Sequence, residues 1–128
     1  MKGSYLFEDQ KLPEGFAFPK KYLLMLEGVL PEIEPWWWLA PHRDSCVYWL
    51  ETLREQFPQR SLIPFAKDGG SDDVACFDGA DRSGNPKILR IHAFCSPGWE
   101  LRGEFPDFEV WLEAALQETA DFKSDAGE

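Results

Sequence analysis

Residues 62–94, LIPFAKDGGSDDVACFDGADRSGNPKILRIHAF, decide the fold. Three runs rich in apolar and aromatic residues, Leu62 to Ala66, Val74 to Phe77 and Ile88 to Phe94, are separated by clusters of Gly, Asp, Ser and Asn. Such clusters supply the turn conformations that short strand connections need, so the segment reads as an antiparallel meander. In the third run Leu89, Ile91 and Ala93 alternate with Arg90, His92 and Phe94, the period of two expected of a half-buried strand. A fourth strand is weakly signalled at Trp99 to Arg102.

Helical signals flank this sheet on both sides. Upstream, the segment Phe18 to Gly28 has Pro19 at the first helical position and Gly28 just past the end, the asymmetry of a short helix, with Tyr22, Met25 and Leu26 on its buried face. Trp36-Trp37-Trp38-Leu39, bounded by Pro35 and Pro41, is too short for a helix and reads as a strand. Asp44 or Ser45 is placed to cap a second helix, in which Cys46, Val47, Leu50, Leu53 and Phe57 recur at helical spacing before Pro58 ends it. Downstream, Asp107 is placed to cap a helix with the stripe Phe108, Trp111, Leu112, Ala115 and Leu116. The expectation is an α+β fold: a largely antiparallel sheet flanked by N-terminal and C-terminal helices, one domain over residues 1–122 with a polar tail at 123–128.

Composition agrees. A chain of 128 residues with 44% apolar content buries a core without metals or disulfides. Its formal charge of −10 repels nucleic acid phosphates and anionic membrane surfaces, and favours a protein partner with a basic surface. Cys46, Cys76 and Cys95 are odd in number and widely spaced, which points to free thiols in a cytoplasmic setting. Met1 to Gln10 carries acids and has no apolar stretch of a secretion signal, and no run approaches the roughly 20 residues of a membrane span.

The punctuation of the chain resembles the SUKH superfamily, which includes bacterial immunity proteins against toxins and fungal regulators of cell-wall synthesis. The matching features are Phe18-Pro19 followed by Tyr22 and a helix ending at Gly28, then Ile63-Pro64-Phe65-Ala66-Lys67-Asp68-Gly69-Gly70-Ser71-Asp72 leading into a strand that ends Phe77-Asp78. The Phe105 to Leu116 segment completes the pattern. The resemblance implies an α+β fold and a role in binding proteins, toxin domains among them, without catalysis or cofactor.

Each candidate site residue has a simpler explanation beside the functional one. Asp68, Asp72 and Asp73 form an acidic turn suited to the rim of a contact with Lys and Arg. Together with Asp78 and Asp81 they also carry oxygen ligands for a hard cation, but without the spacing or closing Glu of a calcium loop, and turn formation alone accounts for them. Trp36, Trp37 and Trp38 cannot all point to one face of a strand, so one of them is a candidate aromatic anchor unless both faces are covered. His42, Asp44, Ser45 and Cys46 include the residue types of a hydrolase nucleophile, base and acid, although neighbours at one helix start rarely face one another. His92 lacks a second His or a paired Cys at ligand spacing. The sequence therefore reads as a stoichiometric protein binder, foremost an immunity protein; a regulatory scaffold module and a small hydrolase using the His42 to Cys46 cluster are the alternatives.

Overall fold

The computed structural model describes residues 5–7 and 11–126. Eight elements follow one another: α1 (Lys20–Glu27), β1 (Trp36–Trp38), α2 (Arg43–Gln56), β2 (Leu62–Asp68), β3 (Asp73–Asp78), β4 (Ile88–His92), β5 (Leu101–Phe105) and α3 (Phe108–Ala126). The strands form one sheet in the order β1-β2-β3-β4-β5, every neighbouring pair antiparallel. The α+β class and the meander expected from the sequence are both present. The weakly signalled strand at Trp99 to Arg102 lies two residues later, as β5. Among the described residues, no helix is long and apolar enough to cross a membrane.

Helices cover both faces. Every residue of β2 is buried, which a sheet achieves only when neither side meets water. On one face Tyr22 of α1 and Phe108 and Trp111 of α3 meet Phe65 and Phe77, with Phe65 and Phe77 stacked 4.4 Å apart. On the other, Trp49 of α2 lies under the Lys67 ammonium, and Cys46, Leu50 and Leu53 are buried. Pro64 has no N–H to give a central strand, and the register with β3 shifts by one residue beside it, so that Phe65 is the extra residue of a bulge. A second bulge sets Arg102 out of register in β5, where Leu101 faces Ile91 and Gly103 faces Arg90.

Helix ends follow the sequence with three corrections. Pro19, expected as the first helical residue, has extended backbone and takes the capping position before Lys20. Asp107 caps α3, accepting from the Val110 N–H at 2.9 Å. At α2 the capping position falls on His42, which makes no side-chain capping bond, and Asp44 and Ser45 sit inside the first turn. There Asp44 still favours the helix through the dipole. In α3 the stripe buries Phe108, Trp111, Leu112 and Ala115, whereas Leu116 is 42% exposed. The helix continues through the expected tail as far as Ala126, with Lys123 paired to Glu32 at 2.6 Å. Residues 127 and 128 of that tail, and residues 1–4 and 8–10 of the acidic N-terminal segment, lie outside the described residues.

Candidate functional site

The three tryptophans do not supply an exposed anchor. Trp36 and Trp38 point to the α3 face and are 1% and 7% exposed, against Trp111 at 5.6 and 6.0 Å. Their ring nitrogens are used inside the fold: Trp36 Nε1 donates to Glu118 at 3.4 Å and Trp38 Nε1 to the Pro31 carbonyl at 2.8 Å. Trp37 takes the opposite face, half-buried, with its ring edge-on to His42 at 5.4 Å. Alternation along the strand holds; the α3 face takes Trp36 and Trp38, and His42 at the entry to α2 partly covers Trp37.

The acidic turn is also drawn inward. Asp73 faces His92 across β3 and β4 and Arg90 stands two residues earlier on the same face, so the period of two gathers these side chains. Arg90 Nε donates to Asp73 Oδ2 at 2.6 Å, its terminal nitrogens lie 3.5 Å from Asp68 and 3.7 Å from Glu118, and its guanidinium sits 5.0 Å over the Trp36 ring. His92 Nδ1 donates to Asp73 Oδ1 at 2.7 Å. Burial pushes the Asp73 carboxyl up, but hydrogen bonds from His92 and Arg90, reinforced by the guanidinium charge, outweigh this and hold it below the usual carboxylate range. Asp68 and Asp73 are thus buried partners of Arg90, and only Asp72 of the three stands exposed. Asp78 pairs with Lys87 at 3.8 Å, and Asp81 accepts from the Ser83 and Lys87 backbone. Among the described residues, no group of three or more His, Cys, Asp or Glu is placed to hold a metal ion.

The His42 to Cys46 cluster does not converge. Cys46 is buried and donates its thiol to the Leu39 carbonyl at 3.0 Å, and burial pushes that thiol up to about 11. A nucleophilic cysteine needs the opposite shift. Asp44 is exposed on the outer face of α2, and the His42 ring is turned toward Trp37.

A different surface carries the exposed aromatic residues. In the loop between β4 and β5, Trp99 is 75% exposed and Phe94 57%, and Tyr48 of α2 is 52% exposed. Tyr48 and Phe94 both pack on the partly covered ring of Trp49, at 5.0 and 5.9 Å. The loop is braced at both ends. The Phe94 N–H donates to Gln56 Oε1 at 2.6 Å, and the Ala93 N–H to the Asp72 carbonyl at 2.9 Å. Ser96-Pro97-Gly98-Trp99 forms a turn closed by the Trp99 N–H on the Ser96 carbonyl, with Gly98 at φ 103° as a type II turn requires. Behind it Glu100 is buried and accepts from Arg60 and from the Gly98 N–H, each at 2.6 Å; the Arg60 hydrogen bond is the chief cause holding its carboxyl below the ordinary value.

Phe94 itself has φ 61°, a left-handed conformation that costs a residue with a Cβ roughly 1–2 kcal/mol. Strain of this kind persists where the surroundings impose it, and it clusters at functional positions. A groove of about 420 Å³ with a mainly apolar lining runs between Phe57-Pro58-Gln59-Arg60 and Pro97, Gly98 and Glu100, the last two being the chain neighbours of Trp99. The sequence did hold a signal for this surface: a Trp at the last position of a Ser-Pro-Gly turn has little chance to reach a core.

Comparison with family models, with curated proteins and with solved structures returned no match. Fold and site together define an α+β domain with a braced, exposed aromatic surface.

Proposed function

We propose that this chain is a non-catalytic protein-binding domain whose contact surface is centred on Trp99 and Phe94. The observation that carries the reading is the display of two large aromatic rings, 75% and 57% exposed, on a loop held by four hydrogen bonds within the fold. Leaving such rings in water forgoes burial worth about 1.5–3 kcal/mol each, and buried aromatic anchors dominate interface energetics. The resemblance to the SUKH superfamily supports a finer reading, an immunity protein that neutralises a toxin by stoichiometric binding. Three free cysteines, two of them buried, support a cytoplasmic setting.

Affinity capture from the source cell, comparing the wild-type chain with Trp99→Ala/Phe94→Ser, tests this. One stoichiometric partner is expected with the wild type and lost with the variant; equal capture by both overturns the surface. Expressing that partner alone is expected to arrest growth, with relief on co-expression of this chain. A harmless partner removes the immunity reading and leaves the binding reading standing.

A further inference from the structure

We infer that the Trp99 surface is built for a polypeptide segment carrying a bulky apolar side chain flanked by Lys or Arg. The inference rests on the binding surface proposed above and names the chemistry of its occupant.

The centre of the surface is apolar and the rim is negative. Asp44, Tyr48, Glu51 and Glu55 of α2 are all exposed and stand at i, i+4, i+7 and i+11. That spacing places them along one helix face, over roughly 16 Å. Tyr48 ties this acidic stripe to the aromatic row through Trp49, and Asp72, exposed and bonded through its carbonyl to Ala93, adds a charge beside Phe94. Gly98 and Glu100, the chain neighbours of Trp99, line the groove, and the ionised groups in its wall answer one another: Arg60 and Glu100 form a pair at 2.6 Å, so neither asks for a ligand charge. A groove of about 420 Å³ with its charged pair closed on itself and a mainly apolar lining accepts an apolar side chain.

Charge selects the occupant. A second copy of this chain would bring the same acidic rim against itself, and like charges across an interface cost several kcal/mol. Nucleic acid meets the same repulsion along its whole backbone. A segment with Lys or Arg on either side of Phe, Trp, Leu or Met meets the rim with opposite charge and fills the groove with its centre, the arrangement of apolar core and polar rim found in protein interfaces.

A display library of random twelve-residue peptides, selected against the purified full-length chain, tests this with no natural partner in hand. The expected hits place Lys or Arg around a large apolar residue. A synthesised hit is expected to bind roughly thirtyfold more weakly to Trp99→Ala, as loss of an anchor predicts. It is expected to bind about tenfold more weakly to Glu51→Lys/Glu55→Lys than to Glu109→Lys/Glu113→Lys, which makes the same change of net charge on exposed positions of α3. Neutral or acidic hits that still depend on Trp99, or equal effects of the two charge reversals, overturn the inference and leave the binding surface in place. Hits indifferent to Trp99→Ala, or no hit at all, overturn both. A dimer of the free chain in sedimentation equilibrium that Trp99→Ala dissolves assigns the surface to a second copy and likewise overturns the inference.

Discussion

Replacing Arg90 by Met removes the cation that faces Asp68, Asp73 and Glu118 and the guanidinium that sits over Trp36, while keeping an unbranched side chain in its place. The carboxylates of Asp68 and Asp73 are 11% and 10% exposed, so water does not replace the guanidinium. Breaking such a pair by removing one partner costs about 3–5 kcal/mol. Asp73 keeps His92 and Arg90 itself is 27% exposed, which brings the expectation to the low end, about 3 kcal/mol. With an unfolding entropy of roughly 2.1 cal/mol/K per residue, a chain of this length loses about 10 °C in Tm, and a urea midpoint falls by roughly 1–2 M.

The cost must also depend on pH. The folded Asp73 carboxyl lies below its unfolded value, so its contribution is fully present above the unfolded value of about 3.9 and is lost as pH falls through the folded one. Without Arg90 the buried carboxyl protonates at higher pH, and the gap between wild type and variant closes as pH falls. Urea denaturation of both proteins at pH 7 and at pH 3 measures this. A loss below about 1 kcal/mol at pH 7, or one of equal size at both pH values, would refute the account of the network.

Trp111→Ala is expected to cost about 3–5 kcal/mol, because the ring is 2% exposed and touches Trp36, Trp38, Phe65 and Phe108; a denaturant midpoint that barely moves would contradict the packing. Phe94→Gly should leave stability within about 1 kcal/mol, since relief of the left-handed backbone offsets the lost contact with Trp49, and yet weaken binding of a partner. A thermal melt showing a much larger loss removes the claim of strain. With a thiol reagent, native protein is expected to expose Cys95 first, with Cys46 and Cys76 reacting only on unfolding; three equally fast thiols would show that the cores around the latter two are open.

Period and punctuation made most of the fold legible. The Pro19 and Gly28 pair bounded α1, the Gly and Asp clusters bounded β2, β3 and β4, and the alternation through Arg90 and His92 matched their half-buried state. The site was not legible in the same way. Asp68 and Asp73 look like free turn charges in sequence because their partner, Arg90, comes to them only through the register of β3 with β4. The Trp36 to Trp38 run stands out by its rarity, but burial on both sides of a strand depends on layers that no local pattern reports. Trp99 stands one residue beyond a strong turn signal, inside a weakly signalled strand, and the two signals conflict there. The strand begins two residues later and the turn prevails.

The bulge at Arg102 reaches beyond the geometry of β5. An outermost strand with regular spacing offers its unpaired amides and carbonyls as a template on which further chains stack, and a protein displaying this much aromatic surface would be vulnerable to that growth. Here the last strand is five residues long, one of them is out of step, and exposed Arg102 and Glu104 stud the same stretch. At the opposite margin the terminal strand is three residues long. Interrupted spacing, charge and shortness each discourage templated addition. The molecule thereby keeps its sticky rings for side-chain recognition while denying fibrils a place to start.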